Sequence, residues 1–391
     1  MNVNRATFAE INLESFRHNL RSIKSFIGPA VQTMAIIKAD AYGHGAIQCA
    51  RAAIKENVEY IGVGIIQEGI ELRESGVTSP ILILGGIYPN EIEDLIKYNL
   101  STSLSNAVIA NAISKQAANT NKSVSVHIKI DTGMGRLGVQ PASFQNLLSD
   151  VIACKNLKIV GFFTHLSSAD EEDPEITHQQ LSVFSKLLKE SSETDFSKIT
   201  SIEEKILFHT ANSAGLLRFP ESRFNLVRPG ISLFGSFPSH TISSLFDISV
   251  KKDSSAKLRP VMNWKTKIMQ IQRLSKGVPL SYGGRYITKK DGTLIATLPV
   301  GYADGLSRQL SNNMELLVRG TRVKQVGTIC MDMCLIDVTR LPDIKMGEEV
   351  VIFGNQENSQ IKVEELAAKA NTIPYEILCG VGKRVPRIYT P

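Results

Sequence analysis

The stretch AIIKADAYGHGA, from Ala35 to Ala46, decides how the chain is read. Ala35-Ile36-Ile37 closes an apolar run suited to a strand buried on both faces. Lys38 follows at once, and Asp40-Ala41-Tyr42-Gly43-His44-Gly45 turns sharply into a helical pattern. Strand, polar residue, turn and helix make the repeating unit of a parallel α/β fold. The unit recurs downstream. Runs rich in Val, Ile and Phe stand at Val31–Ile37, Glu59–Val63, Pro80–Leu84, Ser101–Leu104, Ser123–Ile130, Leu157–Phe163, Ile206–His209 and Phe224–Val227. Helical stretches lie between them, for example His44–Lys55, Ile66–Ser75, Asn90–Lys97, Ser105–Ala118 and Glu175–Glu190.

Eight strands alternating with helices predict an α/β chain with a (β/α)8 TIM barrel, a fold of about 250 residues. An open doubly wound sheet is the alternative, but it would place Gly-x-Gly-x-x-Gly after an early strand, and none stands there. The barrel is assigned to residues 1–240. Pro238–Pro260, rich in Ser and Lys, reads as a connector with a short helix. Beyond it NWKTKIMQIQRL, TLIATLPVGY and EEVVIFG alternate with period two between Gly turns, which predicts a mostly β second domain over residues 241–391. A first strand, Thr7–Asn12, precedes the barrel pattern and is a candidate to pair with that domain.

The 391 residues are 43% apolar and 21% charged, the composition of a globular protein. The net charge of +6 is spread along the chain without a basic, aromatic-interleaved stripe, so no nucleic-acid partner is expected. No apolar run reaches membrane-spanning length, and the N-terminus lacks the apolar core of a secretory signal. Cys49, Cys154, Cys330, Cys334 and Cys379 form no Cys-x-x-Cys pair and no metal-ligand spacing. A reducing, cytoplasmic location and no metal are the expectation.

Polar residues fall at the C-terminal ends of the predicted strands. Lys38 follows the first, Arg136 the fifth in IKIDTGMGRLG, and His165 the sixth in GFFTHLSS. Asn212 and Ser213 follow the seventh in FHTANSAG, and Arg228 and Gly230 the eighth in LVRPGISLFG. Singly, each has a plain structural reading: a rim lysine, a hydrogen-bonded histidine, a capping serine. Together they mark the barrel mouth where active sites sit, with a phosphate-binding pattern after strands seven and eight. A lysine amine forms a Schiff base with an aldehyde, and pyridoxal phosphate (PLP) is an aldehyde with a phosphate tail. An always-protonated arginine against the pyridine nitrogen weakens the electron sink and favours simple proton removal and return. The second domain adds Tyr282 in PLSYGGRY, Tyr302 in VGYADGLSR, Cys330, Met331 and Asp332 in GTICMDMCLIDV, and Tyr375 in TIPYEIL. These gain weight only if that domain covers the barrel mouth.

The blocks IIKADAYGHGA, HIKIDTGMGRLG, THLSSAD, HTANSAG, LVRPGISLFG, SYGGRY, VGYADG, GTICMDMCLIDV and PYEILCGVGKRVPRIY, in this order, resemble the alanine racemase family. The resemblance runs through essentially the whole chain. It implies a PLP-dependent interconversion of L-alanine and D-alanine, with D-alanine feeding peptidoglycan synthesis in a bacterial source. It implies that Lys38 carries PLP covalently and is one catalytic base, with Tyr282 the other on the opposite face. Two acid–base groups on opposite faces suit a reaction that removes a Cα proton from one side and returns one to the other. Both side chains ordinarily titrate near pH 10, so their surroundings must lower them. By the same resemblance Tyr42, Ser213, Gly230, Ile231 and Tyr375 contact the phosphate, beside Asn212. Arg228 meets the pyridine nitrogen, and His165 lies by the ring in a polar network with Tyr282. Arg136 and the Met331 backbone contact the substrate carboxylate, beside Asp332. Lys129 matches a position that is carbamylated in some relatives, where the carbamate orients Arg136. Tyr282, Met331 and Asp332 reach the site from the second subunit of a head-to-tail homodimer with shared active sites.

Three departures fall near the substrate entrance: Thr328 where many relatives have Arg, Leu306-Ser307 where many have Tyr-Pro, and Phe234 where many have Tyr. A broad-specificity or serine racemase on the same scaffold is the nearest alternative. A barrel-type PLP decarboxylase would require a glycine-rich phosphate loop that is not found. A non-catalytic PLP-binding protein would be a single barrel without the second domain.

Overall fold

The computed structural model describes residues 5–191, 205–249 and 257–391. The chain opens with strand β1 (Phe8–Asn12) and runs directly into the helix Leu13–Ile27, whose first turn is capped by the Asn12 side chain accepting from Ser15 N. Eight parallel strands follow: β2 (Gln32–Ile36), β3 (Tyr60–Val63), β4 (Ile81–Ile83), β5 (Ser101–Leu104), β6 (Val124–Lys129), β7 (Leu157–Phe163), β8 (Leu207–His209) and β9 (Leu226–Val227). Their order is β8-β7-β6-β5-β4-β3-β2-β9. The remaining seam, between β8 and β9, is bridged by a side chain. Asn225 accepts from Phe208 N at 2.6 Å and donates to Ile206 O at 2.7 Å, while Arg228 N donates to Ala211 O at 3.0 Å. The predicted barrel is therefore observed, each strand within two residues of its predicted run.

Two helices that the sequence reading did not single out complete the layer. Phe144–Ala153 buries Phe144, Leu147, Leu148 and Val151, and Leu13–Ile27 buries Phe16, Leu20, Ile23 and Ile27, both with helical spacing. A larger difference lies in the opening stretch. The predicted sharp turn after Lys38 is a left-handed helical turn: Ala39, Asp40, Ala41 and Tyr42 have φ of 51–55°. Four L-residues in this region cost roughly 4–8 kcal/mol at 1–2 kcal/mol each, so surrounding contacts must impose it. Asp40 supplies part of that hold: its Oδ1 accepts from Ala46 N at 2.7 Å and its backbone O from Gly45 N at 2.9 Å.

The helix His240–Ser249 lies in the predicted connector, and the rest of that segment, 250–256, lies outside the described residues. The mostly β part is one ten-stranded sheet with a small hairpin. Its strands are β10 (Met262–Lys267), β11 (Gln270–Leu274), β14 (Thr293–Leu298), β15 (Glu315–Val318), β16 (Thr321–Val326), β17 (Cys334–Asp337), β18 (Glu349–Gln356), β19 (Ser359–Ile361) and β20 (Arg387–Thr390), joined by β1; the hairpin is β12 (Pro279–Leu280) with β13 (Tyr286–Ile287). Strand β1 pairs antiparallel with β10, Phe8 opposite Lys265, and parallel with β20, Ala9 opposite Arg387. The first strand and the last thus lie side by side in this sheet, next to the barrel mouth. The helix Pro374–Gly380 packs on the left-handed turn, and Arg387 donates to Gly43 O at 2.9 Å. Gly43 (φ 80°) lies so close to Leu378 O that any side chain there would collide with it.

Candidate active site

A cavity of about 540 Å³ opens at the C-terminal ends of the barrel strands. Lys38, Tyr42, Lys129, Arg136, His165, Asn212, Ser213, Arg228, Gly230, Ile231 and Tyr375 all line it, with Ile36, Leu84, Leu137 and Phe163 as apolar wall. The barrel collects all of the first ten from the ends of β2, β6, β7, β8 and β9, as expected for such a fold, and the helix Pro374–Gly380 of the second domain adds Tyr375. Four of them are cations, and among the described residues no carboxylate lines the cavity. Such a surface is built for an anion.

One side forms a close-fitting cradle. Gly230 N donates to Ser213 Oγ at 2.9 Å, and Ser213 Oγ lies 3.0 Å from Ser232 Oγ. A Cβ on Gly230 would drive into the Tyr42 hydroxyl, so only glycine fits between them. Tyr42 packs against Tyr375 with ring centroids 5.9 Å apart. Burial pushes both phenols up, so they stay protonated and can donate to an anion. Asn212 caps the next helix by accepting from Gly215 N at 2.9 Å.

The floor carries the buried charge. Arg228 is 4% exposed and among the described residues pairs with no carboxylate; it donates to the carbonyls of His209, Thr164 and Thr210 at 2.7–3.0 Å and to His209 Nδ1 at 2.8 Å. His209 Nε2 in turn meets His127 Nδ1 at 2.9 Å. Burial lowers the Arg228 pKa to about 9, still well above neutrality, so the guanidinium remains charged. Burial first, and then the Arg228 charge, hold His127 down at about 3 and His209 well below its usual value. Burial followed by the cations Arg228, Arg136, Lys129 and Lys38 does the same to His165. The sequence reading missed His127 and His209. The available signal was that His127 and Lys129 stand two apart on β6 and therefore face the same side of the strand.

Two amines face the cavity. Burial, then Arg136, lowers the Lys38 pKa, opposed by Glu68. Burial with Arg228 and Arg136 lowers Lys129 to about 8. Both effects favour neutral, nucleophilic amines. Lys129 Nζ also lies 5.4 Å from the centre of the Phe163 ring. The Arg136 loop is fixed from below by Asp131, which accepts from Gly133 N at 3.1 Å and Gly135 N at 3.0 Å.

Tyr282, Met331 and Asp332 do not line this cavity within the chain. They sit together on the second domain. Thr328 Oγ1 donates to Tyr282 O at 2.9 Å, Ser281 Oγ donates to Thr328 O at 2.6 Å and lies 3.4 Å from Cys330 Sγ, and Arg384 holds Asp332 at 2.7 Å. Tyr282 is 72% exposed and Met331 53%, an unusual fate for large apolar side chains. Of the three departures, Thr328 and Leu306 are buried, and Phe234 packs against Tyr42 and His44 behind the cradle.

Among the described residues no helix is long and apolar enough to cross a membrane, and no cluster of His, Cys, Asp or Glu is arranged to hold a metal ion. Residues 11–238 match the family model "Alanine racemase, N-terminal domain" and residues 261–389 the model "Alanine racemase, C-terminal domain". The chain is 40% identical over 387 residues to the alanine racemase of Halothermothrix orenii, covering 99% of this chain and 97% of that one. Among solved structures, the alanine racemase of Clostridium difficile 630 superposes with a TM-score of 0.89 at 36% identity, covering 100% of this chain and 97% of that one. The alanine racemase from D-cycloserine-producing Streptomyces lavendulae gives 0.91 at 30% identity, covering 100% and 98%. Matched over nearly its whole length in sequence and in fold, the chain belongs to the alanine racemase family.

Proposed function

We propose that the chain interconverts L-alanine and D-alanine, holding PLP in the cationic cavity and using Lys38 and Tyr282 as acid–base groups on opposite faces. The observation that carries the reading is the joint placement of a lowered-pKa lysine, a glycine–serine–tyrosine cradle and a buried arginine in one cavity. These residues fit PLP. Gly230 lets the protonated Tyr42 hydroxyl approach its backbone where a phosphate would be held, with Ser213 and Ile231 beside it, and Tyr375 and Asn212 complete that side. Lys38 offers an amine to the aldehyde, and Arg228 offers a fixed N–H donor to the ring nitrogen. When bound, PLP supplies a conjugated ring that takes up the charge left at Cα.

Each side chain then has a task. Arg136, beside Lys129, binds the amino acid's carboxylate and orients its Cα. Lys38, lowered by burial and nearby cations, takes or gives the Cα proton on one face. His165, held neutral, is a hydrogen-bonding neighbour that adds no further charge beside Lys38. Arg228 keeps its proton near neutrality, so the ring nitrogen stays unprotonated and the site favours proton exchange over other bond breaking.

The proton on the other face needs Tyr282. Its exposure within one chain, beside Met331 and Asp332, supports a head-to-tail homodimer in which a second copy supplies these residues. Incubation of the PLP-loaded protein with L-alanine, L-serine, L-lysine and L-ornithine, each separately, tests the function by chiral chromatography. D-alanine should appear fastest, without release of carbon dioxide. Another D-amino acid dominating, or carbon dioxide, would overturn the substrate or the reaction.

A further inference from the structure

The strained turn at Lys38 is met by a residue from the helix after β3. Glu68, in the helix Ile66–Glu74, accepts from Gly64 N at 2.7 Å and Ile65 N at 3.3 Å through Oε2. These two bonds alone would be ordinary helix capping. Its Oε1, however, reaches across to the loop after β2 and accepts from Ala39 N at 2.6 Å. Ala39 is the first left-handed residue and the immediate neighbour of Lys38. A Cβ placed on Gly64 would lie 3.3 Å from Glu68 Oε2 and 3.5 Å from Lys38 Cβ, so the carboxylate and the base of the lysine side chain meet over that glycine.

We propose that Glu68 is a positioning residue for Lys38: its carboxylate pins the left-handed turn and sets negative charge beside the amine. The inference rests on Lys38 being the reactive amine. The groups acting on Lys38 are Arg136 after β6, Arg228 after β9, Lys129 on β6, His165 after β7, Cys379 on the helix Pro374–Gly380, and Glu68 itself. Glu68 is the carboxylate among them. Without it the lysine would face cations with no opposing carboxylate, and the turn would lose a bond that fixes its first residue. The mechanism needs an amine neither permanently charged nor too weakly basic to hold a proton, and Glu68 sets that balance.

The test does not depend on racemisation. In the PLP-free protein, competitive amine labelling read by mass spectrometry gives the titration midpoints of Lys38 and Lys129 in one sample. In Glu68→Gln, Lys38 should titrate at lower pH and be labelled several-fold faster near neutrality, while Lys129, whose opposing carboxylate is Asp131, does not shift down with it. An unchanged Lys38 midpoint overturns the proposal, whatever the protein does to alanine. Unfolding would announce itself by both lysines moving up together toward the ordinary amine value. In that event Glu68→Asp, which keeps the charge but shortens the reach, decides. Faster amide exchange confined to residues 38–43 supports the clamp, and unchanged exchange there overturns it. Loss of activity in Lys38→Ala tests the underlying reading separately.

Discussion

The Arg228 guanidinium donates to Nδ1 of His209 across 2.8 Å, beneath a cavity whose lining includes no carboxylate to neutralise it. An arginine has only donors, so the direction of every following bond is fixed. His209 Nδ1 accepts, its Nε2–H donates to His127 Nδ1, and the His127 proton sits on Nε2, which has no partner among the described residues. Replacing His209 with Leu leaves an Arg228 N–H buried and unpaired, at about 1–3 kcal/mol. The account predicts a loss of that size in chemical denaturation together with weaker PLP retention.

Four histidines, two of them in this hydrogen-bonded chain, make stability pH-dependent. His44, His127, His165 and His209 are neutral in the fold, His44 at about 4 and His127 at about 3, chiefly through burial. Unfolded, each titrates near pH 6.5. The stabilising contribution is present above that value and falls as the pH drops toward the folded pKa values, by up to about 1.4 kcal/mol per pH unit for each histidine. Unfolding followed from pH 7 to 5 should show the decline, and a flat profile would count against neutral histidines.

Gly230→Ala should weaken PLP binding, because the new methyl group meets the Tyr42 hydroxyl. Adding Tyr42→Phe removes that hydroxyl and should recover part of the loss. PLP titration of both single variants and the double variant measures the coupling. Additive effects would mean that the two residues do not share the cradle.

Lys38→Ala should lose covalent PLP attachment and racemisation together. A retained imine absorbance band would remove Lys38 from its role. Tyr282→Phe should keep PLP and slow at least the direction in which Tyr282 takes the proton.

The barrel was legible because short, largely buried apolar strands, such as Tyr60–Val63 and Ile81–Ile83, recur between helical stretches. The residues at their C-terminal ends were legible for the same reason, since strand ends locate the mouth. The left-handed turn was not. Ala39-Asp40-Ala41-Tyr42 contains no glycine, and the conformation is held by Glu68 and Asp40, the first of them from the separate helix Ile66–Glu74. Glu68 itself reads in the sequence as a helix-capping glutamate. His127 and His209 each read as a lone histidine in an apolar strand, and the curvature of the sheet across β6, β7 and β8 brings them to 2.9 Å. Tyr282 was reached through the family resemblance rather than through its spacing, and it does not line the cavity of its own chain.

The central claim is a site shared between two copies, Lys38 from one and Tyr282 from the other. Mixing inactive Lys38→Ala with inactive Tyr282→Ala under conditions that exchange subunits tests it most directly. Half of randomly reassorted dimers would be hybrids, each with one intact site, so alanine racemisation should return to roughly a quarter of the unmodified protein's. No recovery despite demonstrated subunit exchange would contradict the shared site.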